Sequence, residues 1–165
     1  MENRDRAAAE ADRPSLLIGV GNRDRGDDAV GPIVCDIVDG LVTPGLRTVV
    51  LESSVVDLST YWEPDDRVVV VDAASPRGRP GRIIEYDGLA ERFVVPATMS
   101  THSFDVAGAI ELARVMDRLP AGLRIVAVEA ESFEFGAAPT PCVQDAIGVV
   151  VTELSRLGAT PSAGS

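Results

Sequence analysis

Apolar residues run along the chain in two rhythms that alternate. Short unbroken blocks, at 16–20 (Leu-Leu-Ile-Gly-Val) and at 67–71 (Arg followed by four valines), read as strands buried on both faces. Between them, Val30, Ile33, Val34, Ile37, Val38 and Leu41 recur at helical spacing with Asp36 and Asp39 opposite, which predicts an amphipathic helix beginning near 28–31. Pro32 is tolerable there because it falls near the first turn. Residues 48–51 predict a second strand and 55–62 a short helical or irregular piece. The valine strand is expected to stop at Asp72, because the breaker-rich stretch through Gly81 follows at once.

A modest edge strand is predicted at 82–86. Val106, Ala107, Ile110, Leu112, Ala113, Val115 and Met116 then predict a helix with Ser103 as its cap. Residues 123–128 predict a further strand, and Val143, Ile147, Val150, Val151, Leu154 and Leu157 mark a last helix. Strands alternating with helices give an α/β fold, a mostly parallel sheet of about five strands covered on both faces. In such sheets ligands gather beyond the carboxyl ends of the strands, which is where polar residues are to be tested for function.

The 165 residues, 45% of them hydrophobic, suit one domain, expected over 15–158, with a disordered polar leader at 1–14 and a flexible tail at 159–165. Fifteen basic against 26 acidic residues leave a formal charge of -11, which opposes nucleic acids and anionic membranes as partners. The apolar runs fall far short of the roughly 20 residues of a membrane-spanning helix. The leader has no apolar secretory core, so a cytoplasmic location is expected. Cys35 and Cys142 lie far apart within helical patterns and read as small apolar groups rather than a disulfide.

Candidate chemistry concentrates at three places. The first joins the opening strand to the first helix: Gly19-Val20-Gly21-Asn22-Arg23-Asp24-Arg25-Gly26-Asp27-Asp28. Its G-x-G start suggests a dinucleotide loop, but Asp24 replaces the third glycine, and three aspartates stand where a pyrophosphate needs bare backbone. No nucleotide is expected. Gly21 and Gly26 instead serve a tight turn, Asn22 bonds to backbone, and Asp27 and Asp28 fall at the helix start, where only one need cap, which leaves Asp28 open to a metal role. The second place is Asp72, at the end of the valine strand. The third is His102, the only histidine, on a loop entering a helix. Two carboxylates and an imidazole would form an open site of mixed oxygen and nitrogen ligands suited to nickel or zinc. The lone histidine excludes H-E-x-x-H, and there is no G-x-S-x-G.

Gly19-Val-Gly-Asn22 with Gly26-Asp-Asp28-Ala-Val-Gly31, then Val-Val-Asp72-Ala73, then Thr101-His102-Ser103, resemble the hydrogenase maturation proteases in order and separation, from about Leu16 to about Leu157. The resemblance implies a three-layer α/β/α sandwich. It also implies an endopeptidase that removes the carboxyl-terminal extension of a nickel-iron hydrogenase large-subunit precursor after nickel insertion. On matching positions Asp28, Asp72 and His102 become catalytic residues and metal ligands, with the nickel supplied by the substrate. Many relatives carry an aspartate after the second strand where this chain has Glu52, whose carboxylate can stand in for it in part. Glu129 and Glu131, after the last predicted strand, read as solvated loop acids. The rival reading is a nonenzymatic factor that binds nickel or senses a metallated partner without cutting it.

Overall fold

The computed structural model describes residues 14–41, 43–52, 54–94 and 105–158. The expectations for residues 1–13 of the leader, for Thr101, His102 and Ser103, and for the tail lie outside these residues. Five strands form one sheet: β1 (Leu16–Val20), β2 (Arg47–Leu51), β3 (Arg67–Ala74), β4 (Ile83–Asp87) and β5 (Gly122–Glu129). Their spatial order is β2-β1-β3-β5-β4. All neighbours pair in parallel except β4, which runs antiparallel to β5 at the edge. Helices α1 (Val30–Gly40), α2 (Val106–Val115) and α3 (Pro141–Gly158) cover the sheet.

The period-two alternation of the strands divides the core between the two faces. Leu16, Ile18, Val68, Val70, Leu123 and Ile125 pack against Ile110 and Ala113 of α2 and against Leu58 and Trp62. Leu17, Val69, Val71, Val126 and Val128 pack against Val30, Val34 and Val38 of α1 and against Val143, Ile147, Val150 and Leu154 of α3. The result is the three-layer α/β/α sandwich, with α2 on one face and α1 and α3 on the other. Gly31 lets α1 approach closely: a Cβ there would lie 2.3 Å from the Val20 carbonyl oxygen and 2.5 Å from that of Val71.

Most element boundaries fall within a residue or so of expectation, and three differences bear on the site. β3 continues through Asp72 to Ala74, because β5 supplies a partner for each of those residues: Asp72 to Ala127, Ala73 to Val128 and Ala74 to Glu129. β5 in turn includes Glu129. Asp105, rather than Ser103, caps α2, accepting the Gly108 N–H at 2.9 Å. Cys35 and Cys142 are free thiols, as expected, and Cys35 is buried. Among the described residues no helix is long and apolar enough to cross a membrane.

Candidate functional site

The chain runs from β1 outward to β2, then returns to place β3 on the other side of β1. The strand order therefore reverses between β1 and β3, and a crevice opens beyond their carboxyl ends. The β1 loop and the end of β3 carry Asp28 and Asp72 to this switch point.

Asp28 belongs to a 3-10 turn, Gly26–Ala29, that leads into α1. Its Oδ2 accepts the Asn22 N–H at 3.0 Å, while the Asn22 side chain accepts the Asp24 N–H at 2.8 Å. Gly21 has φ +134°, and a Cβ there would sit 1.8 Å from the Asp28 carbonyl oxygen. Gly26 has φ +53°, the left-handed conformation expected of it. These residues form a folded support that fixes the Asp28 carboxylate, which is half-buried.

Asp27 has a separate task. Its side chain is fully buried, and it caps nothing in its own turn. Oδ2 accepts the N–H groups of Glu131 at 2.7 Å and Ser132 at 3.0 Å, and Oδ1 accepts that of Thr140 at 2.6 Å. The Thr140 hydroxyl adds a contact at 2.9 Å. Burial pushes this carboxyl up, but the backbone donors of Ser132, Thr140 and Glu131 outweigh it and hold its pKa below the ordinary value. Asp27 thus ties the site loop to the loop after β5.

Asp72 is half-buried at the head of β3, on the α2 face. Burial pushes its carboxyl up to about 7; the Ala73 N–H, 2.8 Å from Oδ1, opposes this, and the charges of Asp28 and Asp105 add to it. The electrostatic influence of Asp28 shows that the two predicted acids share one neighbourhood. Asp105, absent from the sequence-based selection, joins them from the amino end of α2. Its signal in the chain is its place directly before Val106, where the apolar helical pattern begins and a capping aspartate belongs.

His102 lies outside the described residues. Among the described residues no group of three or more histidines, cysteines and acids is set to hold a metal. Glu52 is engaged elsewhere: its Oε1 pairs with Arg23 Nε at 2.6 Å, and the same guanidinium pairs with Asp36. Glu129 is not a solvated loop acid, since it is 1% exposed and points from the end of β5 toward the α2 face. Glu131 is exposed, as expected.

A mostly parallel sheet covered on both faces, with Asp28 and Asp72 near its switch point, defines an α/β protein whose candidate site lies at the carboxyl-terminal edge. A family model described as HycI, hydrogenase maturation protease, matches residues 52–156. The chain belongs to the hydrogenase maturation protease family. Its structure is similar to that of the maturation protease HycI from Thermococcus kodakarensis KOD1, with a TM-score of 0.68, 21% identity, and coverage of 92% of this chain and 97% of that one. It is similar to hydrogenase 2 maturation peptidase from Thaumarchaeota archaeon SCGC_AB-539-E09, at TM-score 0.61 and 25% identity over 86% of this chain and 95% of that one. The maturating endopeptidase HybD from E. coli aligns at TM-score 0.67 and 20% identity over 84% and 88%. No curated protein matches the sequence.

Proposed function

We propose that this protein is a cytoplasmic, metal-dependent endopeptidase that removes the carboxyl-terminal extension of a nickel-iron hydrogenase large-subunit precursor after nickel insertion. Asp28, Asp72 and His102 are its catalytic residues, and they take hold of nickel that the substrate carries. The observation that supports this most is the placement of Asp28 and Asp72 at the β1/β3 switch point, within reach of each other's charge, in a chain whose family is that of the maturation proteases.

Side chains that occupy open positions on the substrate's nickel fix the neighbouring peptide bond against the enzyme, so metal insertion becomes a condition for cleavage. Asp28 suits this because its turn is braced by Asn22 and Gly21 before substrate arrives. Asp72 suits it because its carboxyl, raised to about 7 by burial and by the negative charges of Asp28 and Asp105, is drawn back to its ionised form by a cation that offsets those charges. Carboxylate oxygens with one imidazole nitrogen form a donor set that nickel accepts.

The test is to incubate purified protein with nickel-loaded and nickel-free precursor and weigh the products. Loss of a carboxyl-terminal peptide from the loaded form alone is the expected result. A precursor left intact in both forms would point to a nonenzymatic role in sensing metallation.

A further inference from the structure

The chain between β5 and α3, residues 130–140, is bound to the β1 loop that carries Asp28. The Asp27 carboxylate accepts the N–H groups of Glu131, Ser132 and Thr140. In return the Asp27 N–H donates to the Ser132 carbonyl at 3.0 Å, and the Gly26 N–H to that of Ala137 at 3.2 Å. The Gly136 N–H donates to the Asp24 carbonyl at 2.6 Å. The approach is close, since a Cβ on Gly26 would lie 2.8 Å from the Ser132 carbonyl oxygen. The two loops are one hydrogen-bonded unit, so a residue on one is fixed relative to the Asp28 turn on the other.

At its tip the β5–α3 loop turns sharply. The Ala137 N–H donates to the Glu134 carbonyl at 3.3 Å, and Gly136, third in the turn, has φ +78°. Phe135 takes the second position and is 77% exposed, more than any other aromatic residue among those described. Phe133, two residues earlier, is half-buried. Single exposed apolar residues are ordinary on protein surfaces. What sets Phe135 apart is that the clamp to Asp24 and Gly26 holds its turn in place beside the candidate site, with Asp24 and Glu134 as exposed acids at its foot. A rigidly presented aromatic ring with a polar surround is the pattern of a residue that anchors a protein interface, because little conformational freedom is lost when it is covered.

The place of the turn says what would cover it. Its anchor, Asp24, is so near Asp28 in the chain that the two lie within roughly 15 Å of each other. A protein interface of ordinary size covers about 800 Å² on each partner, an area roughly 30 Å across. A folded precursor seated over Asp28 therefore reaches the loop tip as well. We propose that Phe135 is a docking residue, whose ring enters an apolar recess on the folded surface of the large-subunit precursor and so brings the precursor's metal to Asp28. The inference rests on the peptidase reading for its partner, but binding can be measured without cleavage.

The wild-type chain, Phe135→Ser and Phe135→Leu are compared on the nickel-loaded precursor. KM and kcat are read from product mass, and binding to the immobilised precursor from surface plasmon resonance. Phe135→Ser should keep the melting temperature, since the ring it removes is mostly in water. It should raise KM at least about tenfold, weaken binding to match, and leave kcat within about twofold of wild type. Phe135→Leu, still apolar, should recover most of the loss. An unchanged KM in Phe135→Ser overturns the proposal, and so does Phe135→Leu behaving as the serine variant does. If the wild-type chain binds the precursor and leaves it uncut, the peptidase reading falls and binding alone decides: weaker binding by Phe135→Ser upholds the docking residue, and equal binding overturns it. A chain that neither binds nor cuts the precursor overturns both.

Discussion

Asp27 closes its carboxylate on the N–H groups of Glu131, Ser132 and Thr140, while Asp28, next in the chain, accepts the Asn22 N–H at the β1 loop. The two should therefore separate stability from activity. Asp27→Asn turns an amide toward backbone donors and should cost about 3 kcal/mol in urea unfolding at neutral pH. Asp28→Asn should cost little stability yet slow precursor processing about 100-fold, since misplacing the substrate's metal by a small distance suffices for that loss. Equal effects of the two on unfolding would refute the division. Asp72 makes a pH-dependent prediction. Its carboxyl titrates near 7 in the folded chain and near 3.8 in an unfolded one, so the folded state holds the extra proton between those values. Stability from this group is thus full below about pH 3.8 and declines as pH rises toward 7. Asp72→Asn, whose carbonyl can still accept the Ala73 N–H, should stabilise the chain at pH 8 relative to wild type by on the order of 2 kcal/mol, a gain absent near pH 4. Denaturation curves at both pH values check this. Asp28 and Asp72 were legible in the sequence because helix starts and strand ends place carboxylates at a sheet edge. Asp27's task was not, since its partners lie more than 100 residues away.

At the level of elements, the turn that carries Asp28 depends on a close approach. A Cβ on Gly21 would collide with the Asp28 carbonyl, and φ +134° is unfavourable for any other residue. Gly21→Ala should therefore destabilise the fold by a few kcal/mol and abolish processing, read by thermal melting and product mass. A variant that melts and cleaves as wild type would remove the turn from the account. The strands and helices were readable from periodicity, and so was the parallel sheet. The ends of β3 and β5 were not, because each extends only through pairing with the other: Ala73 and Ala74 against Val128 and Glu129. Local breakers announced a stop that tertiary pairing overrode. That same extension, with residues 77–79 folded over Glu129, converts an apparent loop acid into a buried one.

Across the whole molecule, the strand order makes the switch point, and the switch point holds the candidate site. With a formal charge of -11, the protein suits a partner met through a bound cation better than one met through phosphates. His102→Ala should abolish processing, at least about 100-fold by product mass, while leaving unfolding unchanged, because a single ligand lost from the metal unseats the scissile bond. The most direct measurement is nickel K-edge X-ray absorption on the nickel-loaded precursor, alone and bound to the enzyme. Added oxygen and nitrogen neighbours at the nickel are expected on binding, lost with Asp28→Asn or Asp72→Asn. An unchanged nickel shell in a complex that goes on to cleave would contradict it.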